Sequence, residues 1–199
     1  MLDQYRIQDT LLNDSLFCYM TLSVGDSLVD FTLRNANYNI GGDEINAETY
    51  NQENGLVVVF ECNHCPYVVA SVLRMNSLAK YCQQNNIGFV GINSNDSSVY
   101  ETDSFEHMVK RAEKGMPYPY LHDEDQSVAT EYGAKRTPEF FFFDKTNSLA
   151  YKGRMDDSPK NPADVTSTDL LDAINAVLAG NEPEIKATES IGCSVKWKA

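Results

Sequence analysis

Five consecutive apolar residues, Leu56-Val57-Val58-Val59-Phe60, run directly into Glu61-Cys62-Asn63-His64-Cys65-Pro66, and this junction constrains the chain more than any other feature. An unbroken apolar run of this length reads as a strand covered on both faces. From Cys65 onward the apolar positions Val68, Val72, Met75, Ala79 and Cys82 fall three and four apart, which lays one face of a helix on the core. Pro66 suits the first turn, where its missing N–H has no intrahelical partner to lose. A central strand therefore delivers a Cys-x-x-Cys pair to its carboxyl end at the start of a helix. In open α/β sheets that is where ligands and chemistry gather.

The rest of the chain continues the alternation. Residues 28–33 and 87–92 read as strands. Asp103-x-x-Glu106 offers a capping pair before Phe105, Met108, Val109 and Ala112, and Gly115 stops that helix. A short strand over 118–122 and a helix over 126–132 follow. Residues 140–143 and 149–152 form a hairpin across Asp144-Lys145-Thr146-Asn147-Ser148. A final amphipathic helix spans 168–179, with Gly180 as its αL cap. The expected architecture is one α/β domain, a central mixed β-sheet flanked by helices, over residues 23–180. An N-terminal extension, 1–22, precedes it, and a C-terminal tail, 181–199, is expected to pack back through Trp197.

Charge and cysteine usage narrow the function. Sixteen basic residues against 29 acidic ones give a net charge of −13, which repels nucleic-acid phosphates and anionic lipid surfaces. The acidic, amide-rich opening residues lack the basic flank and apolar run of a signal peptide, so a cytoplasmic location is expected. Five cysteines, an odd number, argue for redox or metal chemistry over a static disulfide framework.

Two cysteines three apart across a strand-to-helix turn bring their sulfurs into bonding distance. Cys62, ahead of the first turn, is expected to expose its sulfur to the unpaired helix N–H groups, which favour the nucleophilic thiolate. A protonated His64 strengthens this effect, and the Glu61 carboxylate opposes it. Cys65, on the buried stripe, is expected to resolve the mixed disulfide. A zinc site is disfavoured because no second Cys-x-x-Cys or His-x-x-x-His follows, and His107 and His122 stand alone. Pro after the second cysteine excludes the usual covalent haem motif, so neither metal nor organic cofactor is expected. Cys82 reads as core, and Cys18 has no motif around it. Asn93, Asn95 and Asp96 follow a strand end and either line the site or form a turn. Arg136 is either a surface charge or an attractor of anionic substrate groups.

These residues carry a family resemblance. Val24-Gly25-Asp26 with Phe31-Thr32-Leu33, Phe60-x-Cys62-Asn63-His64-Cys65-Pro66-Tyr67-Val68, Ile92-Asn93-Ser94-Asn95-Asp96, Thr137-Pro138-Glu139-Phe140 and Tyr151-x-Gly153-Arg154 resemble the thioredoxin superfamily. The branch they resemble is the peroxiredoxin-like one, of the alkyl hydroperoxide reductase and thiol-specific antioxidant, or redoxin, type. The ending Gly192-Cys193-Ser194-Val195-Lys196-Trp197 belongs to the same resemblance. The resemblance implies that Thr137-Pro138 is a cis-proline turn packed against the cysteine pair, with the Thr137 backbone free to hold an extended substrate.

Departures from the family patterns carry information too. Glu61 stands where thioredoxins have tryptophan, and Asn63-His64 replaces Gly-Pro. Cys65-Pro66 aligns with the peroxidatic position of peroxiredoxins, and Cys62 with their hydroxyl residue. The expected activity is thiol–disulfide oxidoreduction through Cys62 and Cys65. The alternatives are an antioxidant thiol peroxidase and a non-catalytic redox-sensing module. Expected partners are disulfide-containing proteins or small molecules, peroxides in the alternative, and a thiol electron donor. Cys193 is a candidate third redox thiol.

Overall fold

The computed structural model describes residues 21–199, so Cys18 and nearly all of the expected N-terminal extension lie outside the described residues. The strands are β1 (Thr32–Asn35), β2 (Glu44–Asn46), β3 (Leu56–Phe60), β4 (Gly88–Asn93), β5 (Tyr120–His122), β6 (Arg136–Thr137), β7 (Glu139–Phe143), β8 (Leu149–Gly153) and β9 (Cys193–Ser194). The helices are α1 (Ala47–Tyr50), α2 (Pro66–Gln84), α3 (Phe105–Ala112), α4 (Ser127–Tyr132) and α5 (Asp169–Leu178).

Seven strands form one mixed sheet in the order β2-β1-β5-β4-β3-β7-β8. The β3–β4 and β4–β5 pairs are parallel, while β7 runs antiparallel to β3. Strand periodicity sorts the core into two layers. Val57, Val59, Phe140 and Phe142 face α2, α3 and α5. Leu56, Val58, Phe60, Phe141 and Phe143 face the other side with Val128, Ala129 and Tyr132 of α4. The four phenylalanines of β7 thus fill both layers. Each buried side chain of this size contributes roughly 1.5–3 kcal/mol.

The strand expected over 28–33 begins later, at Thr32. The backbone before it bonds the β7–β8 loop instead: Gly25 N–H donates to Leu149 O (2.9 Å) and Leu28 N–H to Asn147 O (2.7 Å). Those bonds satisfy the chain without a ladder. The β1–β2 pairing, Leu33 opposite Ile45, lies in a stretch where the sequence shows no alternation strong enough to read. Gly180 caps α5 with φ +77°.

Candidate active site

The β3 strand places the cysteine pair. Glu61 N–H still bonds Ile92 O (2.8 Å), extending the ladder, and the chain then turns through Cys62-Asn63-His64 into α2. Pro66 occupies the first helical turn and Cys65 is the N-cap, with Val69 N–H donating to its carbonyl (2.9 Å). Both cysteines are fully buried, at 0% exposure. The expected exposed Cys62 sulfur is therefore not found.

Two segments close over the pair. The Thr137–Pro138 peptide is cis. Thr137 Oγ1 lies 3.5 Å from Cys62 Sγ, and the Cys65 thiol donates to Thr137 O (3.0 Å). The tail lies on the outside of this turn, where β9 pairs antiparallel with β6 and sets Cys193 opposite Thr137 and Ser194 opposite Arg136. The Thr137 edge expected to be free for a substrate is thus occupied by the chain's own tail. A Cβ on Gly192 would fall 2.2 Å from Thr137 O, so only glycine lets the tail come this close. Beyond it, Val195 is buried, Lys196 N–H bonds Asn95 Oδ1 (2.9 Å), and Lys196 O accepts from Asp96 N–H (2.8 Å). Trp197, the expected anchor, is 48% exposed; backbone bonds hold the tail instead.

Of the two thiols Cys65 is the more acidic, and on ionising it gives up its donation to Thr137 O. The hydrogen bond from Cys62 pulls the Cys65 thiol well below the usual range against the penalty of burial, with further bonds from the Cys193 thiol and the N–H groups of Val68 and Cys193. The Cys62 thiol is pushed far up, first as donor to Cys65, then by burial and by the Asp103 carboxylate. This reverses the expected order of the two thiols. As the N-cap residue, Cys65 lies at the positive end of the α2 dipole, which Cys62, three residues earlier, does not share as closely. Cys82 is ordinary core, its thiol pushed up to about 12 by burial.

Two fully buried carboxylates flank the pair. Glu61 is ion-paired with Arg111 and accepts from Tyr118 OH (2.9 Å). Gly91 leaves the space for it, since a Cβ there would lie 2.3 Å from Glu61 Oε1. Arg111 also donates to Cys62 O (2.7 Å) and to Tyr120 OH (3.1 Å), which in turn donates to Asn63 Oδ1 (2.9 Å). Glu61 is thereby matched within its own network, and the carboxylate that acts on Cys62 is Asp103. Asp103 does not cap α3, whose N-cap is Ser104. It accepts from Asn63 N–H (2.7 Å), Asn93 Nδ2 (3.3 Å) and Asn95 Nδ2 (2.8 Å), and its Oδ2 lies 2.7 Å from His64 Nδ1. The His64 ring stacks on Tyr100, with centroids 5.2 Å apart. Asn93 and Asn95 therefore support the site through Asp103, while Asp96 makes a local turn by accepting from Ser98 Oγ (2.6 Å).

Cys62, His64 and Asp103 place ligand-type atoms within 4.8 Å of one another. Both Asp103 oxygens are already engaged by the donors just named, so a cation would have to displace them. His107 and His122 stay outside the site: His107 bonds Ser104 Oγ (2.8 Å), and half-buried His122 packs on Phe105. Arg136 is exposed and lines a cleft with Lys135, Glu139 and Lys152 beside β6. Asp103, Arg111, Tyr118 and Tyr120 were not legible as site residues, because only long-range packing gathers them.

A dithiol at the amino end of a helix, leaning on a cis-proline turn at the carboxyl edge of a mixed sheet, defines a thioredoxin-fold thiol redox protein. Residues 24–152 match the family described as AhpC/TSA, and the chain belongs to that family. The chain is 39% identical to an uncharacterised conserved protein from Geobacillus kaustophilus, covering 88% of this chain and 93% of that one at a TM-score of 0.82. It is 35% identical to a hypothetical protein from Sinorhizobium meliloti 1021, covering 90% and 97% at a TM-score of 0.82. A peroxidoxin from Mycobacterium tuberculosis shares the fold at 22% identity, covering 79% and 96% with a TM-score of 0.55. Comparison with curated proteins gave no match. Family and fold together support a thiol-based redox activity of the oxidoreductase or peroxidase kind. No helix among the described residues is long and apolar enough to cross a membrane.

Proposed function

We propose that the protein is a thiol–disulfide oxidoreductase working through Cys62 and Cys65. The supporting observation is geometric: both cysteines sit at the start of α2 against the cis Thr137–Pro138 turn, with Cys62 Sγ 3.5 Å from Thr137 Oγ1 and Cys65 Sγ 3.0 Å from Thr137 O. The Cys65 thiolate attacks a substrate disulfide, forming a mixed disulfide and releasing one substrate thiolate, which takes a proton. Cys62, giving up its proton, then attacks the Cys65 sulfur, closing Cys62–Cys65 and releasing the second substrate thiol. The attacking and resolving roles are the reverse of those expected from sequence. His64 acts through Asp103 by offsetting the carboxylate that opposes charge on Cys62. Arg136 is exposed beside the tail-covered Thr137–Pro138 turn and contributes a cation for acidic substrate segments. A thiol donor completes the cycle by reducing Cys62–Cys65, and a cytoplasmic setting suits four cysteines free among the described residues.

A peroxidase reading rests on one specific feature: the favoured thiolate, Cys65, precedes Pro66, as the peroxidatic sulfur of the resembled family does. In that cycle Cys65 attacks the peroxide to give a sulfenic acid and an alcohol or water. Cys62 condenses with the sulfenic acid, and water leaves. Against it, the groups reaching Cys65 Sγ are thiols and backbone groups, and the Thr137 hydroxyl faces Cys62.

Insulin-disulfide reduction measured beside hydrogen peroxide consumption tests the choice, with Cys62→Ser and Cys65→Ser treated in parallel and adducts followed by intact mass. The expected result is insulin reduction, a trapped mixed disulfide at Cys65 when Cys62→Ser is combined with Cys193→Ser, and peroxide loss near the uncatalysed rate. Rapid sulfenic acid formation at Cys65 without any mixed disulfide would overturn the oxidoreductase reading.

A further inference from the structure

The cysteine pair is sealed from solvent, whereas Cys193, in contact with the same core cluster, is partly exposed. We infer that Cys193 is a relay thiol that carries the disulfide from the buried Cys62–Cys65 pair to the surface. This rests on the oxidoreductase reading and adds a route to it.

The geometry gathers three thiols around Thr137. The Cys65 thiol donates to Thr137 O (3.0 Å), Cys62 Sγ lies 3.5 Å from Thr137 Oγ1, and Cys193 faces Thr137 across the β6–β9 pair. The contact does not depend on a chance excursion of a loose tail. Upstream, Thr188 N–H donates to Lys152 O (3.0 Å) and Thr188 Oγ1 accepts from Arg154 N–H (3.0 Å). Downstream, Gln126 Nε2 donates to Lys196 O (2.9 Å) and Gln126 Oε1 accepts from Lys198 N–H (2.8 Å). Between these clamps Gly192 lets the backbone lie against Thr137 O. The tail thus occupies the β6 edge as an extended substrate would, and it brings its own sulfur.

The relay conserves electrons within the chain. With Cys62–Cys65 oxidised, Cys193 loses its proton and attacks the Cys65 sulfur. The Cys65–Cys193 bond forms, the Cys62–Cys65 bond breaks, and Cys62 leaves as a thiolate that takes up the proton. An external thiol then attacks the accessible Cys193 sulfur, expelling Cys65. Expulsion of Cys65 is fast because the better-stabilised thiolate leaves faster. A second external thiol releases Cys193, so two donor thiols become one disulfide.

The test oxidises wild type, Cys62→Ser, Cys193→Ser and Gly192→Ala with limiting oxidised dithiothreitol, then quenches with acid, alkylates and maps disulfides by mass. Reduction of each oxidised protein by glutathione is timed alongside. We expect Cys62–Cys65 in wild type and an intrachain Cys65–Cys193 bond in Cys62→Ser. Reduction should be slower by about tenfold in Cys193→Ser, because the exposed sulfur is gone. Gly192→Ala keeps every thiol but displaces the tail, and should lose the Cys65–Cys193 bond when combined with Cys62→Ser. If wild type forms Cys62–Cys65 yet Cys62→Ser yields no Cys65–Cys193 bond and Cys193→Ser is reduced at the wild-type rate, the relay is overturned. If wild type forms no Cys62–Cys65 disulfide, the oxidoreductase reading itself fails.

Discussion

Glu61 and Asp103 are both fully buried carboxylates beside the same cysteine pair, yet they are neutralised in different ways. Beneath the pair, on the sheet, Glu61 meets Arg111, a group charged at every accessible pH, and a tyrosine hydroxyl. Burial holds Tyr118 and Tyr120 well above the usual tyrosine range, so both remain hydrogen-bond donors. At the rim, Asp103 meets neutral amides and one histidine, whose charge depends on pH. The lower network is built to be constant, and the upper one leaves charge that acts on a thiol. The carboxylate adjacent to Cys62 in sequence is thus balanced by its own cation, while one far along the chain pushes the Cys62 thiol up.

The largest expected effect breaks the lower network. Arg111→Leu leaves Glu61 buried and uncompensated and should cost about 3–5 kcal/mol of stability. The urea midpoint reports this, and Glu61→Leu combined with Arg111→Leu should recover much of the loss. A single variant as stable as wild type would mean that Arg111 does not compensate Glu61, and the contrast between the networks would disappear.

An intermediate effect is expected at the rim. Asp103→Asn removes a buried negative charge beside the pair, so the Cys65 thiolate is held more easily and the reduction potential rises. A rise of tens of millivolts is expected, where ~30 mV corresponds to roughly 1.4 kcal/mol for two electrons. Thiolate absorbance at 240 nm should also extend to lower pH than in wild type. The loss of an acceptor for buried amides costs a further 1–3 kcal/mol, roughly, in stability. A potential that falls would show that Asp103 acts by holding the Cys62–Cys65 turn rather than by its charge.

The same contrast explains what the sequence could and could not disclose. The β3–α2 junction was legible because its signals are local: five apolar residues, a proline in the first turn, and apolar spacings of three and four. The β7–β8 hairpin was legible for the same reason. Asp103 was not, because Asp-x-x-Glu ahead of a helix is a valid local cap, and only tertiary burial sends the carboxylate to the cysteines. The covering of Cys62 was equally hidden. Backbone groups of residues 192–198 hold the tail over the site, and every residue type carries those groups, so Trp197 attracted an anchoring role that Val195 and the main chain fill. The helix start at Pro66 was legible, but the order of the thiols turned on the groups packed around each sulfur, which no local pattern carries.

The smallest expected effect is also the one that most sharpens the contrast. His64 opposes the Asp103 charge only while its imidazole is protonated, and a histidine charge fades between about pH 5 and 8. Replacing it by glutamine leaves Asp103 unopposed, which disfavours a negative charge on the pair, so the potential at pH 6 should fall. The shift is opposite in sign to that of Asp103→Asn, and smaller, because the amide donors of Asn63, Asn93 and Asn95 still stabilise the carboxylate. Wild type and His64→Gln should differ less at pH 8 than at pH 6. Potentials measured in glutathione buffers at both pH values, with Asp103→Asn and the double variant alongside, decide the matter. In the Asp103→Asn background the fall at pH 6 should be smaller, because the carboxylate that His64 offsets is gone. A fall of equal size at both pH values would assign the His64 effect to its stacking on Tyr100 instead of its charge.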